Sequence, residues 1–255
     1  MCTTVHYNVL IVVWQSVRPM FDEKQAPPEF PEELLAEVNT LIASLRSRLV
    51  DRIDLPEPPT GARLFNLVRA YLQAHLRRAL TFLDGGYAEF KAGRPLMTDM
   101  ATRAIYGSVA NLCDFSDKLK PLCDKGDLDA IDQLATKSAF VTRIPSFLEK
   151  YGAHLQSTNV ITQVKQMGKR FPDFVSAYDH LSDVVHPNGL GAIVYFAEIG
   201  DAIVTFGDKP EKATAAVHSL CVAAALLGFM EHEMDEIENR LKTLNAALVD
   251  KQAVG

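Results

Sequence analysis

The residues best able to do chemistry lie between Phe174 and Asn188, in the segment FVSAYDHLSDVVHPN. If that segment is helical, Tyr178, Ser182 and His186 stand four residues apart and run up one side of the helix. Asp179 and Asp183 flank the row, within reach of the imidazole. A hydroxyl, a carboxylate and an imidazole brought together can transfer protons, so His186, Ser182 and Asp183 are candidates for acid–base work. Tyr178, Asp179 and Asn188 are candidate binding groups beside them. The same residues also have an architectural reading. A histidine in the last turn before Pro187 interacts favourably with the helix C-terminus and can cap its free carbonyls. Tyr178 also shares an apolar stripe with Phe174, Leu181 and Val185.

Asp179, Asp183 and His186 have spacings that could ligate an ion from one helix. No second set supports them, because no Glu-x-x-His pair of the di-iron kind occurs anywhere. The run Glu231-His232-Glu233 reads as a solvated helix face. The cysteines at 2, 113, 123 and 221 form no CxxC pair and read as reduced thiols packed as small hydrophobes. No metal and no cofactor is expected. Neither GxSxG, GxxxxGK[ST] nor GxGxxG appears, so a serine-hydrolase elbow and the common phosphate loops have no sequence support.

Helices must position these groups. After Pro31, Leu34, Leu35, Val38, Leu41, Ile42, Leu45 and Leu49 recur at helical spacing. A second helix is predicted over 62–83, with Gly85-Gly86 as its stop. A third begins at Thr98 or Asp99 and ends before Pro121, with Met97, Ala101, Ala104, Ile105, Ser108, Leu112, Phe115 and Leu119 on its inner face. Shorter helices are predicted over 128–141, 145–155, 160–167 and 173–185. Two β-branched and aromatic runs around Gly200-Asp201 predict a hairpin at about 193–206, a buried helix being the alternative. From Pro210 a final helix runs to about Val249. Gly228 is a candidate kink, the half before it a core helix and the half after it an exposed amphipathic extension. The fold class is therefore mainly α, a multi-helix bundle with one small β-hairpin and a long C-terminal helix. Residues 31–250 are expected to form a single helical domain, with 1–30 an N-terminal arm.

Over 255 residues, hydrophobic content of 48% and charged content of 23% are globular values and fit neither disorder nor a membrane protein. Val9–Trp14 is too short, and lacks the basic flank, for a signal peptide. The apolar stretch from Ala213 to Met230 carries His218 and runs into a charged segment, so it reads as a core helix rather than a membrane span. A cytoplasmic protein is expected. The net charge of -6 argues against broad nucleic-acid binding and leaves RNA or nucleotide a possible partner that the charge does not support, with a local basic patch still open.

Three features together resemble a known family. GRPLMTDMATRAIYGSVANLCDF leads a helix bearing Arg103 from Gly-Arg-Pro. Tyr178-x-x-Leu181-Ser182-x-x-x-His186-Pro187 follows, and then the hairpin and long last helix. The arrangement, over about 32–250, is similar to uncharacterised bacterial all-helical proteins related to HEPN domains, the helical domains of many toxin and antiviral ribonucleases. The resemblance implies that Arg103 faces the Tyr178–Ser182–His186 row and meets Tyr178 or Asp179; an ion pair across two packed helices is the structural alternative. Where relatives carry an acidic residue shortly after that Arg, this chain has Gly107.

The ribonuclease signature of that family, Arg then His a few residues on, has one match, Arg69 to His75. With thirteen arginines and seven histidines, about one match arises by chance. A separation of six also places the two side chains about 120° apart on a straight helix. The expectation is therefore a HEPN-like helical protein that binds a partner or ligand, in a stress or antiviral defence setting. The alternatives are a ribonuclease-like hydrolase centred on His186 and an oligomerising module working through the charged end of the last helix as a homo-oligomer.

Overall fold

The computed structural model describes residues 19–21, 31–56, 61–157, 159–187, 189–207, 209 and 211–254. Most of the arm over 1–30, the Val9–Trp14 run and the candidate Asn188 lie outside the described residues. Among those described, α1 (Glu32–Ser47), α2 (Gly61–Lys91) and α3 (Pro95–Lys125) are followed by α4 (Leu128–Phe140) and α5 (Pro145–Tyr151). A single 3-10 turn (Ala153–Leu155) leads into α6 (Val160–Arg170), α7 (Pro172–Val185) and α8 (Gly189–Phe196). An antiparallel pair, β1 (Ala197–Ile199) and β2 (Val204–Phe206), precedes α9 (Lys212–Val254).

Several boundaries differ from the sequence reading, each for a packing reason. Gly85-Gly86 does not stop α2, which continues to Lys91. Gly86 lies where α2 meets α3 and α9, and a Cβ there would stand 3.0 Å from Ala101 Cβ and 3.1 Å from Leu220 Cδ1. Its glycine serves close approach rather than termination. Pro121 lies inside α3, which ends at Gly126 in the left-handed region with φ 68°. An interior proline costs about 3 kcal/mol, but stopping earlier would unseat Leu122 and Cys123, both packed in or against the core.

The hairpin is shorter than predicted. Residues 193–196 finish α8, and pairing begins only at Ala197↔Phe206. Gly191 lies against the end of α7, where a Cβ would collide with the carbonyl oxygens of Val184 and His186. That contact folds the chain back as a helical turn before any strand can form.

α3 is the hub, packing against α2, α4, α6, α7 and α9. One hydrophobic cluster runs from Phe21 to Leu244 and includes the fully buried Leu35, Leu76, Ile105, Leu112, Leu220 and Leu227. Because α3 is surrounded, its buried positions are not confined to one face, and Met97, placed on that face by the sequence, is exposed. Phe21 is buried against the bundle, and Asn39 holds it through hydrogen bonds to its backbone N–H and carbonyl.

α9 is continuous through Gly228. Beyond that point Met230, Met234, Ile237, Leu241 and Leu244 are buried, so the predicted exposed extension is packed into the bundle. Glu233 corrects the solvated reading of its run. It is fully buried, with Oε2 accepting from Ser116 and Lys120 at 2.6 Å and Oε1 taking both Arg170 Nη groups at 3.0 Å. α9 is the one helix among the described residues long and apolar enough to cross a membrane, and its apolar side packs on α3, α2 and α1. Cys113, Cys123 and Cys221 are buried free thiols.

Candidate functional site

Five helices, α2, α3, α4, α6 and α7, enclose a cleft of about 500 Å³, within the usual range for small-molecule sites. Each contributes by helical spacing. Tyr71, His75 and Arg78 lie on successive turns of α2, while Arg103, Gly107, Asn111 and Asp114 descend one side of α3. α4 adds Lys137, the following loop adds Arg143, and α6 and α7 add Gln163 and Tyr178.

The floor is buried. Tyr71 packs on Phe115 and on His75, with both ring-centroid separations 4.4 Å. The Tyr71 hydroxyl donates to Asn111 Oδ1 at 2.6 Å, and Asn111 Nδ2 donates to Gln163 Oε1 at 3.4 Å. Burial and the nearby Asp114 carboxylate push the Tyr71 hydroxyl far up, so it remains a protonated donor. Burial, then the Arg78 guanidinium, pulls His75 down to about 4, which keeps its imidazole neutral at pH 7. His75 Nδ1 is buried with no hydrogen-bond partner among the described residues.

The walls are basic. Arg78, Arg103, Lys118, Lys137 and Arg143 line the cleft against one carboxylate, Asp114, and that carboxylate is paired with Lys118 at 2.5 Å. Arg78, Arg103, Lys137 and Arg143 have no carboxylate partner among the described residues. Arg143 donates to Ser157 Oγ at 3.1 Å, and Arg78 lies over the Phe82 ring at 4.6 Å. A second cleft between α2 and α9 is the contrast. There Arg48 pairs with Asp235, Arg69 with Glu238 and Arg52 with Asp54. Arginines in the second cleft are neutralised by their neighbours; four cations of the first are not. A concave surface lined by one sign of charge focuses potential, here positive on a chain of net charge -6.

Arg103 meets two members of the predicted row. Its Nε–H donates to Ser182 Oγ at 2.9 Å, and its guanidinium lies over the Tyr178 ring at 5.1 Å. Ser182 in turn donates to the Tyr178 carbonyl at 2.8 Å. No ion pair to Asp179 or another carboxylate forms among the described residues, so the structural alternative for Arg103 is not what the fold uses.

Asp179, Asp183 and His186 are exposed, and none lines the cleft. His186 is the C-cap of α7, its backbone N–H donating to the Ser182 carbonyl at 3.0 Å. Ser182 and His186 therefore share the end of α7 through backbone rather than side chain. No three His, Cys, Asp or Glu side chains gather as a metal site among the described residues.

Sequence reasoning passed over Asn111, Gln163, Arg78, Lys137 and Arg143, and weighed His75 only as the partner of Arg69. One signal was available: Gln163 interrupts the apolar stripe Val160, Val164, Met167 of α6, and a buried polar residue on such a stripe asks for a partner. The Arg69–His75 pair, weighed as a ribonuclease signature, is split. Arg69 binds Glu238 on α9, while His75 turns into the other cleft. Compared with known protein families, curated proteins and solved structures, the chain matches none.

Proposed function

We propose that this chain is a HEPN-like helical protein that works by binding, and that the cleft between α2, α3, α4, α6 and α7 takes a small anionic ligand. The observation that carries the reading is the set of four cations, Arg78, Arg103, Lys137 and Arg143, lacking carboxylate partners among the described residues around one cavity. Unpaired guanidinium groups are suited to phosphate and carboxylate, which they bind in bidentate geometry. The buried aromatic floor beneath them suits the organic part of such a ligand. A stress or antiviral setting is the corresponding biological expectation. The exposed position of His186, outside the cleft, favours binding over a hydrolytic centre built on that residue.

The test is calorimetric titration of the full chain with inorganic phosphate, pyrophosphate and organic phosphates at low and high salt. Saturable binding that weakens with salt and falls about tenfold or more in Arg103→Ala supports the reading. Absence of binding to every anion tried, in protein of normal stability, removes it.

A further inference from the structure

The cleft has a second recognition element in its buried floor, chemically unlike its basic walls. Gln163 is nine-tenths buried on α6, and its amide orientation is set by a relay. The Tyr71 hydroxyl donates to Asn111 Oδ1, so Asn111 presents Nδ2 to Gln163 Oε1. That assignment leaves Gln163 Nε2 as a donor with no partner among the described residues, in the lining of the cleft. Nε2 is not among the buried polar atoms left without a partner, so it faces the open cleft, where a ligand acceptor can take the place of water.

Along α3, Asn111 is eight residues from Arg103, or about 12 Å of helix. The amide relay and Arg103 therefore stand at different positions along the same cleft lining. The Tyr71 and Phe115 rings, packed on each other at 4.4 Å, add an apolar surface to the cleft beside the amide relay.

Resting on the anion-binding reading above, we infer that the ligand is a nucleoside monophosphate. Its phosphate lies among the unpaired cations, and a carbonyl or ring-nitrogen acceptor on its base completes Gln163 Nε2. Gln163 is thus a specificity-determining residue and Arg103 a phosphate-binding one. The imidazole of His75, packed at a tilt against Tyr71, closes the base pocket without adding charge.

The experiment compares the four ribonucleoside monophosphates with ribose 5-phosphate and inorganic phosphate, by titration calorimetry on the full chain. At least one nucleotide is expected to bind about tenfold tighter than ribose 5-phosphate, the worth of one good buried hydrogen bond plus ring packing. Gln163→Leu should abolish that preference while leaving ribose 5-phosphate affinity within about twofold. Gln163→Glu, which replaces the donor with an acceptor, serves as the second variant should Leu perturb folding, and should likewise lose the preference. Equal affinity for nucleotides and ribose 5-phosphate in the native chain, or a preference that survives both substitutions, overturns the base subsite and leaves the anion site standing. Failure of every phosphate to bind overturns both.

Discussion

The Nε–H of Arg103 on α3 donates to Ser182 Oγ on α7 at 2.9 Å, while its guanidinium lies over the Tyr178 ring at 5.1 Å. Two residues of one helix thus aim a cation of another into the cleft without neutralising it. Arg103→Lys is expected to weaken anion binding nearly as much as Arg103→Ala, because an ammonium keeps the charge but loses the planar fork and the stacking. Ser182→Ala should cost only a few-fold in affinity, since the ring still holds the guanidinium. Calorimetric affinities of the three variants check the order. Full affinity in Arg103→Lys would show that charge alone matters.

Gly107 lies one turn beyond Arg103 on the cleft wall, and a Cβ there would meet only Val160 Cγ2, at an ordinary 3.5 Å. Gly107→Ala should therefore stabilise the chain by about 0.5–1 kcal/mol through helix propensity and leave binding intact. Gly107→Glu should fold as well, offer Arg103 a carboxylate at i+4, and reduce anion affinity about tenfold or more. Thermal melting and titration on the same samples separate the two effects.

His75 makes stability depend on pH. Its folded value, about 4, lies below the ordinary 6.5, through burial first and Arg78 second. Between those values the unfolded chain binds the proton and the folded chain does not. Stability therefore falls as pH drops from about 6.5 to 4, by up to about 3 kcal/mol. His75→Leu should flatten this part of the profile. Urea midpoints at pH 4, 5, 6 and 7 for both proteins test it, and parallel curves would count against a neutral buried imidazole.

Glu233 contributes in a lower window. Burial alone would raise its carboxyl, but hydrogen bonds from Lys120, Ser116 and Arg170 outweigh that and hold it below the ordinary 4.5. A depressed folded value means stability present above about 4.5 and lost on further acidification, distinct from the His75 range. Glu233→Ala should cost about 3–5 kcal/mol at pH 7 by stranding Lys120 and Arg170. Replacing Glu233 and Arg170 together by leucines should recover part of that loss, as exchange of a buried ion pair for packed hydrophobes often does. Urea unfolding of single and double variants provides the check.

The helices were legible from the sequence because helical periodicity is local. Leu35, Val38, Ile42 and Leu45 mark the buried face of α1, and Phe174, Tyr178 and Leu181 that of α7, whatever those faces pack on. The alignment of Tyr178 with Ser182 was legible for the same reason, as was the polar interruption at Gln163.

Only the tertiary structure decided which polar groups meet. Tyr71, Asn111 and Gln163 are far apart in the chain and form one relay because α2, α3 and α6 pack side by side. Glu233, in a charged run that spacing alone assigns to solvent, is buried because α3 and α6 bring Ser116, Lys120 and Arg170 to it. Local propensity marks Gly86 as a helix stop because it cannot register a third helix at 3.1 Å. Backbone propensity and apolar period act over one or two turns, and so determine each element. The sign of charge in a cleft, and which donors are left unpaired in it, depend on side chains from five helices and exist only once those helices have packed.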